Sequence, residues 1–187
     1  MCSSDLHLLG RIQALLQKRR VSYSTAPVHR LDLETSGPIL FAKGRQAAGR
    51  LGQLFMDGAA QKSYLALVAG ELVGAGRLES PVRAKGKLKA AATGYRALTG
   101  FGDFTLVELE LLSGRTHQIR QQLAAAGHPL VGDRRYGGPT PPGLKRLFLH
   151  CRKLALPDPF GGPDVLVENP LPEELAQVLS ALGARTP

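Results

Sequence analysis

The chain has 187 residues, enough for one domain (1–187), and its two cysteines and short apolar runs exclude a disulfide scaffold and a membrane-spanning helix of roughly 20 residues. We therefore expect a monomer in the reducing cytoplasm, without membrane contact. The 24 Lys and Arg against 15 Asp and Glu give a net charge of +9, which favours a polyanionic partner such as RNA or DNA, although a solvated basic face is an equally simple reading.

The N-terminal half predicts a helix, a strand, a second helix and a second strand. Apolar residues at helical spacing indicate the first helix near 5–19. PILFAK (38–43) is typical of a strand, and helical spacing returns between Ala47 and Phe55. KSYLALVAG (62–70) predicts the next strand. The first ten residues do not resemble a secretory signal, and we expect a truncated or foreign start.

The C-terminal half predicts a basic loop at 83–94, strands at YRAL (95–98) and 104–112, and a helix opened by RTHQIR and ended by Gly127. GHPLVGDRRYGG and the Pro-rich stretch after it predict loops. RLFLHCRKLAL (146–156) is strand-like, and a final helix is predicted near 172–182. Many strands with few helices between them favour an α+β fold, with a mixed, mostly antiparallel sheet and flanking helices.

Two polar segments are candidates for chemistry. HRLDLETSG (29–37) places two bases, two acids and two hydroxyls directly before an apolar strand. A polar turn in which Asp32 or Thr35 caps the backbone would use the same residue types. SGRTHQIR (113–120) puts arginines at a helix start, where positive charge opposes the helix dipole. We therefore expect a nearby anion, either an acidic side chain or a phosphate.

Five segments in this order resemble the RluA family of pseudouridine synthases: HRLDLETSG, KSYLALVAG, SGRTHQIR, GHPLVGDRRYGG and RLFLHC. The resemblance covers about residues 27–182, and five ordered motifs are far more specific than one. It implies the fold of that catalytic domain and the isomerisation of uridine in RNA, with ribosomal RNA favoured over transfer RNA. Because that reaction involves no net oxidation or hydrolysis, we expect no cofactor. Relatives generally carry a strand and a KPxG-type motif before HRLD, which this chain lacks.

The resemblance also implies roles for individual residues. Asp32 is the implied catalytic carboxylate, Tyr64 the catalytic tyrosine and Arg120 the partner of Asp32. Leu149, in preference to Leu147, is the apolar residue that packs beside the site. Arg30 holds the RNA from which the uridine is flipped. The remaining expected substrate-binding residues are His29, Thr35, Arg115, His117 and Gln118.

Elementary chemistry is compatible with these roles. A carboxylate can attack the sugar or base, or remove a sugar proton, if it stays ionised in a partly dry pocket. An arginine favours that ionised form, and Tyr64 offers a ring for stacking and a hydroxyl for proton transfer. The alternative for Tyr64 is a purely structural role, as an aromatic side chain buried in a strand.

Four other interpretations have to be weighed. The histidines could join Asp32 and Asp133 as metal ligands, but no HExxH or paired-cysteine spacing supports a metal site. Residues 133–136 (DRRY) are either a surface turn that gathers phosphates or a solvated loop. A noncatalytic RNA-binding module is the main alternative function. A hydrolase with an Asp–His pair would need a nucleophile elbow or zinc motif that is not present.

Overall fold

The computed structural model describes residues 3–183, and their side chains from residue 8 onward. The helices are α1 (Ser3–Lys18), α2 (Arg45–Met56), α3 (Gln118–Ala125) and α4 (Glu173–Ala181). The strands are β1 (Thr25–Pro27), β2 (Phe41–Lys43), β3 (Gln61–Ala69), β4 (Ala75–Leu78), β5 (Val82–Ala84), β6 (Lys87–Lys89), β7 (Thr93–Phe101), β8 (Phe104–Leu111), β9 (Leu149–Leu156) and β10 (Val165–Glu168). The truncated or foreign start that we expected includes Met1 and Cys2, which lie outside the described residues.

One six-stranded sheet organises the domain, in the order β10-β9-β3-β8-β7-β4. Every neighbouring pair in it is antiparallel. The pairs β1–β2 and β5–β6 form two small antiparallel sheets beside it. The α+β fold with a mostly antiparallel sheet is therefore confirmed, and within the described residues parallel pairing is limited to an isolated bridge between Ser36 and His150.

Alternation along the strands separates two buried layers. On β3, Tyr64, Ala66 and Val68 face a cluster that also contains Ile119 and Leu123 of α3. Leu67, between them, faces the opposite side, where Leu175 and Val178 of α4 pack. Because side chains of a strand point alternately to its two faces, α3 and α4 cover opposite faces of the sheet.

The predicted elements are present, with shifted ends. The predicted strand at 38–43 contributes only its last three residues to β2, and the helix predicted from RTHQIR begins at Gln118. The basic loop predicted at 83–94 is wrong in part, because residues 82–89 form a hairpin of β5 and β6. Its two-residue turn has positive φ at both Lys85 (50°) and Gly86 (77°), which matches the twist of paired strands. No helix among the described residues is long and apolar enough to cross a membrane.

Candidate active site

A pocket of about 260 Å³ lies where residues 29–37, β3, β9 and the start of α3 meet. Pockets for drug-sized ligands begin at about 300 Å³, so this one is suited to a single small ring system. Nine of the ten site residues expected from the sequence line it: His29, Arg30, Asp32, Thr35, Tyr64, Arg115, His117, Gln118 and Leu149. The tenth, Arg120, approaches Asp32 from α3.

Residues 29–37, the aspartate segment, are fixed to strand β9. The Cys151 amide donates to the Ser36 carbonyl oxygen at 2.7 Å, and the Thr35 amide donates to the Asp32 carbonyl oxygen at 2.9 Å to close a turn. Gly37 has a φ of 139°, and a Cβ there would lie 2.5 Å from the Cβ of Cys151. Only glycine permits this approach, so Ser36 and Gly37, at the end of the segment, lie directly against β9.

Arg146 holds the same segment from a second side. Its Nη1 donates to the Glu34 carbonyl oxygen and its Nη2 to Ser36 Oγ, both at 2.9 Å. The buried His150 bonds Ser36 Oγ through Nδ1 at 2.8 Å and the Asn169 carbonyl oxygen through Nε2 at 3.0 Å. Since a carbonyl only accepts, Nε2 carries the proton of the neutral ring, and the Ser36 hydroxyl donates to Nδ1. Burial lowers the pKa of His150 and favours that neutral ring.

The carboxylate of Asp32 is mostly enclosed, with 17% of its side chain exposed. Its Oδ2 lies 3.7 Å from Arg120 Nη1, and its Oδ1 lies 3.8 Å from His117 Nε2. Both distances exceed hydrogen-bond length. Among the described residues Asp32 thus has one positive neighbour, Arg120, and one imidazole nitrogen of His117 close by, and neither forms a hydrogen bond with its oxygens.

The strongest ion pair of Arg120 is with Asp133. Its Nε and Nη2 donate to the two oxygens of Asp133 at 2.7 and 2.8 Å. These bonds raise the pKa of Arg120. The side chain of Asp133 is fully enclosed, so the expectation of a surface turn or solvated loop is wrong for this residue. Burial of the carboxylate against the Arg120 guanidinium is the reason. Asp133 is also an acidic side chain of the kind that the positive charge of 113–120 predicted, and its ion pair is with Arg120.

His117 precedes α3 in the left-handed region, with a φ of 52°. Its Nε2 lies 3.5 Å from Arg120 Nη1, and its Nδ1 lies 3.2 Å from the Tyr136 hydroxyl. Because arginine has no acceptor, Nε2 is the unprotonated nitrogen of the neutral ring and Nδ1 donates to Tyr136. Burial lowers the pKa of His117, with Asp32 opposing and Arg120 reinforcing the shift.

Gln118 is buried, and its side-chain amide forms hydrogen bonds within the protein. Its Nε2 donates to the Ala92 carbonyl oxygen and Thr93 Oγ1, both at 2.9 Å, while its Oε1 accepts from Ser113 Oγ and the Arg115 amide. Gln118 therefore ties the start of α3 to β7 at the pocket wall.

Tyr64 and Leu149 form the apolar wall of the pocket. Both are buried, and Leu147 is also buried but does not line the pocket. Burial first, then the neighbouring Cys151 and Asp32, raises the pKa of Tyr64 well above its usual value. The phenol is therefore neutral near pH 7 and suited to donate a hydrogen bond.

His29 and Thr35 bring unpartnered polar atoms to the pocket wall. The Leu40 amide donates to His29 Nε2 at 3.0 Å, so the neutral ring carries its proton on Nδ1. His29 Nδ1 and Thr35 Oγ1 are buried without a hydrogen-bond partner among the described residues. Burial, and secondarily Lys62, lowers the pKa of His29 to about 4. Buried polar groups are normally paired, so these two atoms are unsatisfied exceptions beside the pocket.

Arg30 and Arg115 are exposed side chains at the rim of the pocket. Lys62 lies deeper, with its Nζ 4.9 Å from the centre of the Phe55 ring, and burial lowers its pKa. The outer rim of the pocket is therefore positively charged, whereas its interior is lined by both charged and apolar side chains. Among the described residues no three His, Cys, Asp or Glu side chains are grouped as metal ligands would be.

Sequence reasoning missed Lys62, Asp133 and Arg146 as site residues. Lys62 shares a strand face with Tyr64 two residues on, which is a usable signal. The roles of Asp133 and Arg146 depend on long-range pairing, 13 residues to Arg120 in one case and 110 to Ser36 in the other. No local pattern reveals those contacts.

The family model for RNA pseudouridylate synthase matches residues 7–125, well over half of the chain. The chain belongs to this family. The matched residues include Asp32, Tyr64 and Arg120, and they end before Asp133 and Leu149. The RluA-type resemblance is thereby confirmed at the level of the family.

Curated members of the pseudouridylate synthase family are similar to most of this chain. The ribosomal large subunit pseudouridine synthase D of Nitrosomonas europaea is 37% identical over 83% of this chain and 50% of its own length. The corresponding synthase C of Vibrio cholerae is 36% identical over 96% of this chain and 62% of its own length. The chain thus spans about half to three fifths of the length of these relatives.

Solved members of the family share the fold. Human RNA pseudouridylate synthase domain containing 1 superposes with a TM-score of 0.69 at 26% identity, covering 91% of this chain and 84% of that one. Human RNA pseudouridylate synthase domain containing 4 gives a TM-score of 0.80 at 24% identity, covering 100% and 85%. Because the identity to the second protein is only 24%, that comparison supports a shared fold alone.

Proposed function

We propose that this chain isomerises uridine in RNA to pseudouridine, with Asp32 as the catalytic carboxylate. The observation that carries this is the position of Asp32, whose oxygens face a small pocket and lie near, but not in hydrogen bonds with, Arg120 and His117. Such a carboxylate is charged, partly dehydrated and free to react.

The reaction breaks the N1–C1′ bond, turns the released base and forms a C5–C1′ bond, while one hydrogen leaves C5 and another joins N1. It involves no net oxidation or hydrolysis, so we expect no redox cofactor. Asp32 either attacks the sugar or base or removes a sugar proton, and both routes need the ionised carboxylate at the same place. Arg120 stabilises that ionised form by its charge.

The other pocket residues receive roles in binding. Tyr64 and Leu149 hold the flipped base between apolar surfaces, since chemistry on a base requires its removal from the stack. His29 and Thr35 line the pocket beside that nucleotide. Arg30 and Arg115 contact phosphates at the rim, and His117 and Gln118 shape the wall beside the base.

Ribosomal RNA is the substrate class that we propose over transfer RNA. The names of the curated relatives, which refer to the ribosomal large subunit, support this choice. We expect the partner to be a structured RNA and the protein to act as a monomer in the reducing cytoplasm. The alternative is a noncatalytic RNA-binding module that keeps the basic surface.

Mapping of pseudouridine tests the proposal. The purified chain is incubated with unmodified transcripts of large-subunit ribosomal RNA and, separately, with unmodified transfer RNA. Pseudouridine is then located by carbodiimide adducts that stop reverse transcription. We expect a stop in the ribosomal transcript that is lost with Asp32→Asn. RNA binding without conversion by the unaltered chain would support the binding module, and conversion of transfer RNA alone would reverse the substrate class.

A further inference from the structure

The turn at residues 133–136, which the proposed chemistry leaves without a role, contacts both groups that face Asp32. Asp133 bonds Arg120, and Tyr136 bonds His117. Arg120 and His117 are the described residues whose charged or basic nitrogens lie within 4 Å of the Asp32 carboxylate. The turn therefore forms a second layer behind the reactive carboxylate.

Asp133 determines which edge of Arg120 remains for Asp32. It occupies Nε at 2.7 Å and Nη2 at 2.8 Å, so that Nη1 is left at 3.7 Å from Asp32. A guanidinium is planar and rigid, and fixing two of its nitrogens fixes the third. Arg120 is thereby prevented from turning a two-pronged face onto Asp32, which would tie up both carboxylate oxygens.

Tyr136 holds the second neighbour and covers the first. Its hydroxyl accepts from His117 Nδ1 at 3.2 Å, and its ring centre lies 5.2 Å from the guanidinium carbon of Arg120. The His117 ring meets the Tyr136 ring edge-on at 5.9 Å between centres. One aromatic side chain thus restrains both the rotation of His117 and the tilt of Arg120.

The turn itself is rigid. Asp133 Oδ1 also accepts from the amides of Arg135 and Tyr136, both at 3.2 Å, and its backbone oxygen accepts from Gly138 at 2.8 Å. A Cβ at Gly138 would overlap the Leu130 carbonyl oxygen. Asp133 is 1% exposed, so the turn is packed into the protein at the point where Asp133 bonds Arg120.

We propose that Asp133 and Tyr136 are positioning residues, which aim Arg120 and His117 at Asp32 and keep its carboxylate free of hydrogen bonds before substrate binds. This inference rests on the proposed isomerisation. It differs from a phosphate-gathering role for the turn, which would act through the exposed Arg134 and Arg135 and would change RNA affinity instead of the rate of the chemical step.

Single-turnover kinetics with saturating protein separate the two roles. Asp133→Asn keeps the shape of the side chain but removes its charge, and we expect the rate of pseudouridine formation to fall on the order of 100-fold, as for small misplacements of reacting groups. The Kd for RNA should change by less than about threefold, because rim phosphate contacts are untouched. Asp103→Asn, the same change in the exposed β7–β8 turn, should leave both quantities unchanged.

A double-variant cycle tests whether Asp133 acts through Arg120. Arg120→Lys keeps the charge but cannot form the fork. If the inference is right, adding Asp133→Asn to Arg120→Lys costs less than about threefold in rate, because contacting residues are non-additive. Tyr136→Phe, which loses only the hydroxyl, should lower the rate roughly three- to tenfold, as expected for one hydrogen bond.

Several outcomes of these experiments would overturn the inference. An Asp133→Asn chain that reacts at the unaltered rate overturns it, as does a loss of RNA affinity in place of rate, or a full additional loss in the Arg120→Lys background. If Asp133→Asn does not fold, as judged by circular dichroism, Tyr136→Phe decides, and an unchanged rate overturns the proposal. No conversion by the unaltered chain would instead refute the proposed function and this inference with it.

Discussion

Asp32 and Asp133 are carboxylates that share one arginine and have opposite environments. Asp133 is fully enclosed and makes two charge-assisted hydrogen bonds, whereas Asp32 faces the pocket and makes none to the described side chains. Removing one partner of a buried ion pair leaves an uncompensated charge. Arg120 is therefore needed for the fold, through Asp133, and it places a positive charge 3.7 Å from Asp32.

His29 should make the stability of the protein depend on pH. Its pKa is about 4 in the folded chain against 6.5 in the unfolded chain. Between these values the unfolded chain binds more protons, so stability from this residue is present above pH 6.5 and is lost as pH falls towards 4. The loss is on the order of 3 kcal/mol in the free energy of unfolding.

The measurement is urea unfolding at pH 7 and pH 4 of the unaltered chain and of His29→Gln. Glutamine can still accept from the Leu40 amide but does not titrate. We expect the free energy of unfolding to fall less in His29→Gln than in the unaltered chain. Equal losses in the two proteins would show that the ring is not held in its neutral form.

At the scale of elements, the aspartate segment depends on β9 and on Arg146 more than on its own hydrogen bonds. Ser36 is bonded to β9 through its backbone and to His150 and Arg146 through its hydroxyl. Arg146 also bonds Glu174 of α4 at 2.7 Å. The last helix is thereby connected to the segment that presents Asp32.

Arg146→Gln should loosen that segment. We expect the free energy of unfolding to fall by about 1.5–3 kcal/mol, the range for hydrogen bonds to charged groups, and the single-turnover rate to fall with it. Glu174→Gln is the matched control, since its exposed ion pair contributes at most about 1 kcal/mol. Thermal and denaturant unfolding of the two variants, with rates at saturating RNA, measure both effects. Similar losses in both would contradict the role of Arg146.

Periodicity predicted the elements well because burial imposes it. The stripe of α4 and the alternation of β8 are both visible in the sequence, and the structure has both elements. The short strands β1, β4 and β10 were not predicted. They have three or four residues each, too few for a period, and they form because a neighbouring strand offers its edge.

At the scale of the whole molecule, a net charge of +9 and an arginine rim predict that RNA binding weakens with salt. Each phosphate contact contributes about 0.7 to 0.9 to the slope of log Kd against log salt. Arg115→Gln should lower that slope by about this amount without abolishing catalysis at saturating RNA. Arg77→Gln, on the edge strand β4 outside the pocket, should leave the slope unchanged; a filter-binding titration at several salt concentrations distinguishes these results.

The candidate site was predictable where its residues occur in motifs and not where they meet by folding. Asp32, Tyr64 and Leu149 stand in separate motifs, and the antiparallel order of β3 and β9 brings the last two together at the pocket. The expected pairing of Asp32 with Arg120 omitted Asp133, because nothing in the local sequence marks that carboxylate as buried. Charge at the start of α3 indicated an anion but not its identity.

Release of tritium from RNA tests the central claim most directly. Ribosomal RNA labelled with tritium at C5 of uridine loses the label to water only when C5 gives up its hydrogen, which pseudouridine formation requires. The unaltered chain and Asp32→Asn are compared at equal amounts of bound RNA, with matching circular dichroism spectra as the control for folding. We predict release by the unaltered chain and background counts from Asp32→Asn. Equal release from both proteins would contradict the assignment of Asp32 as the catalytic carboxylate.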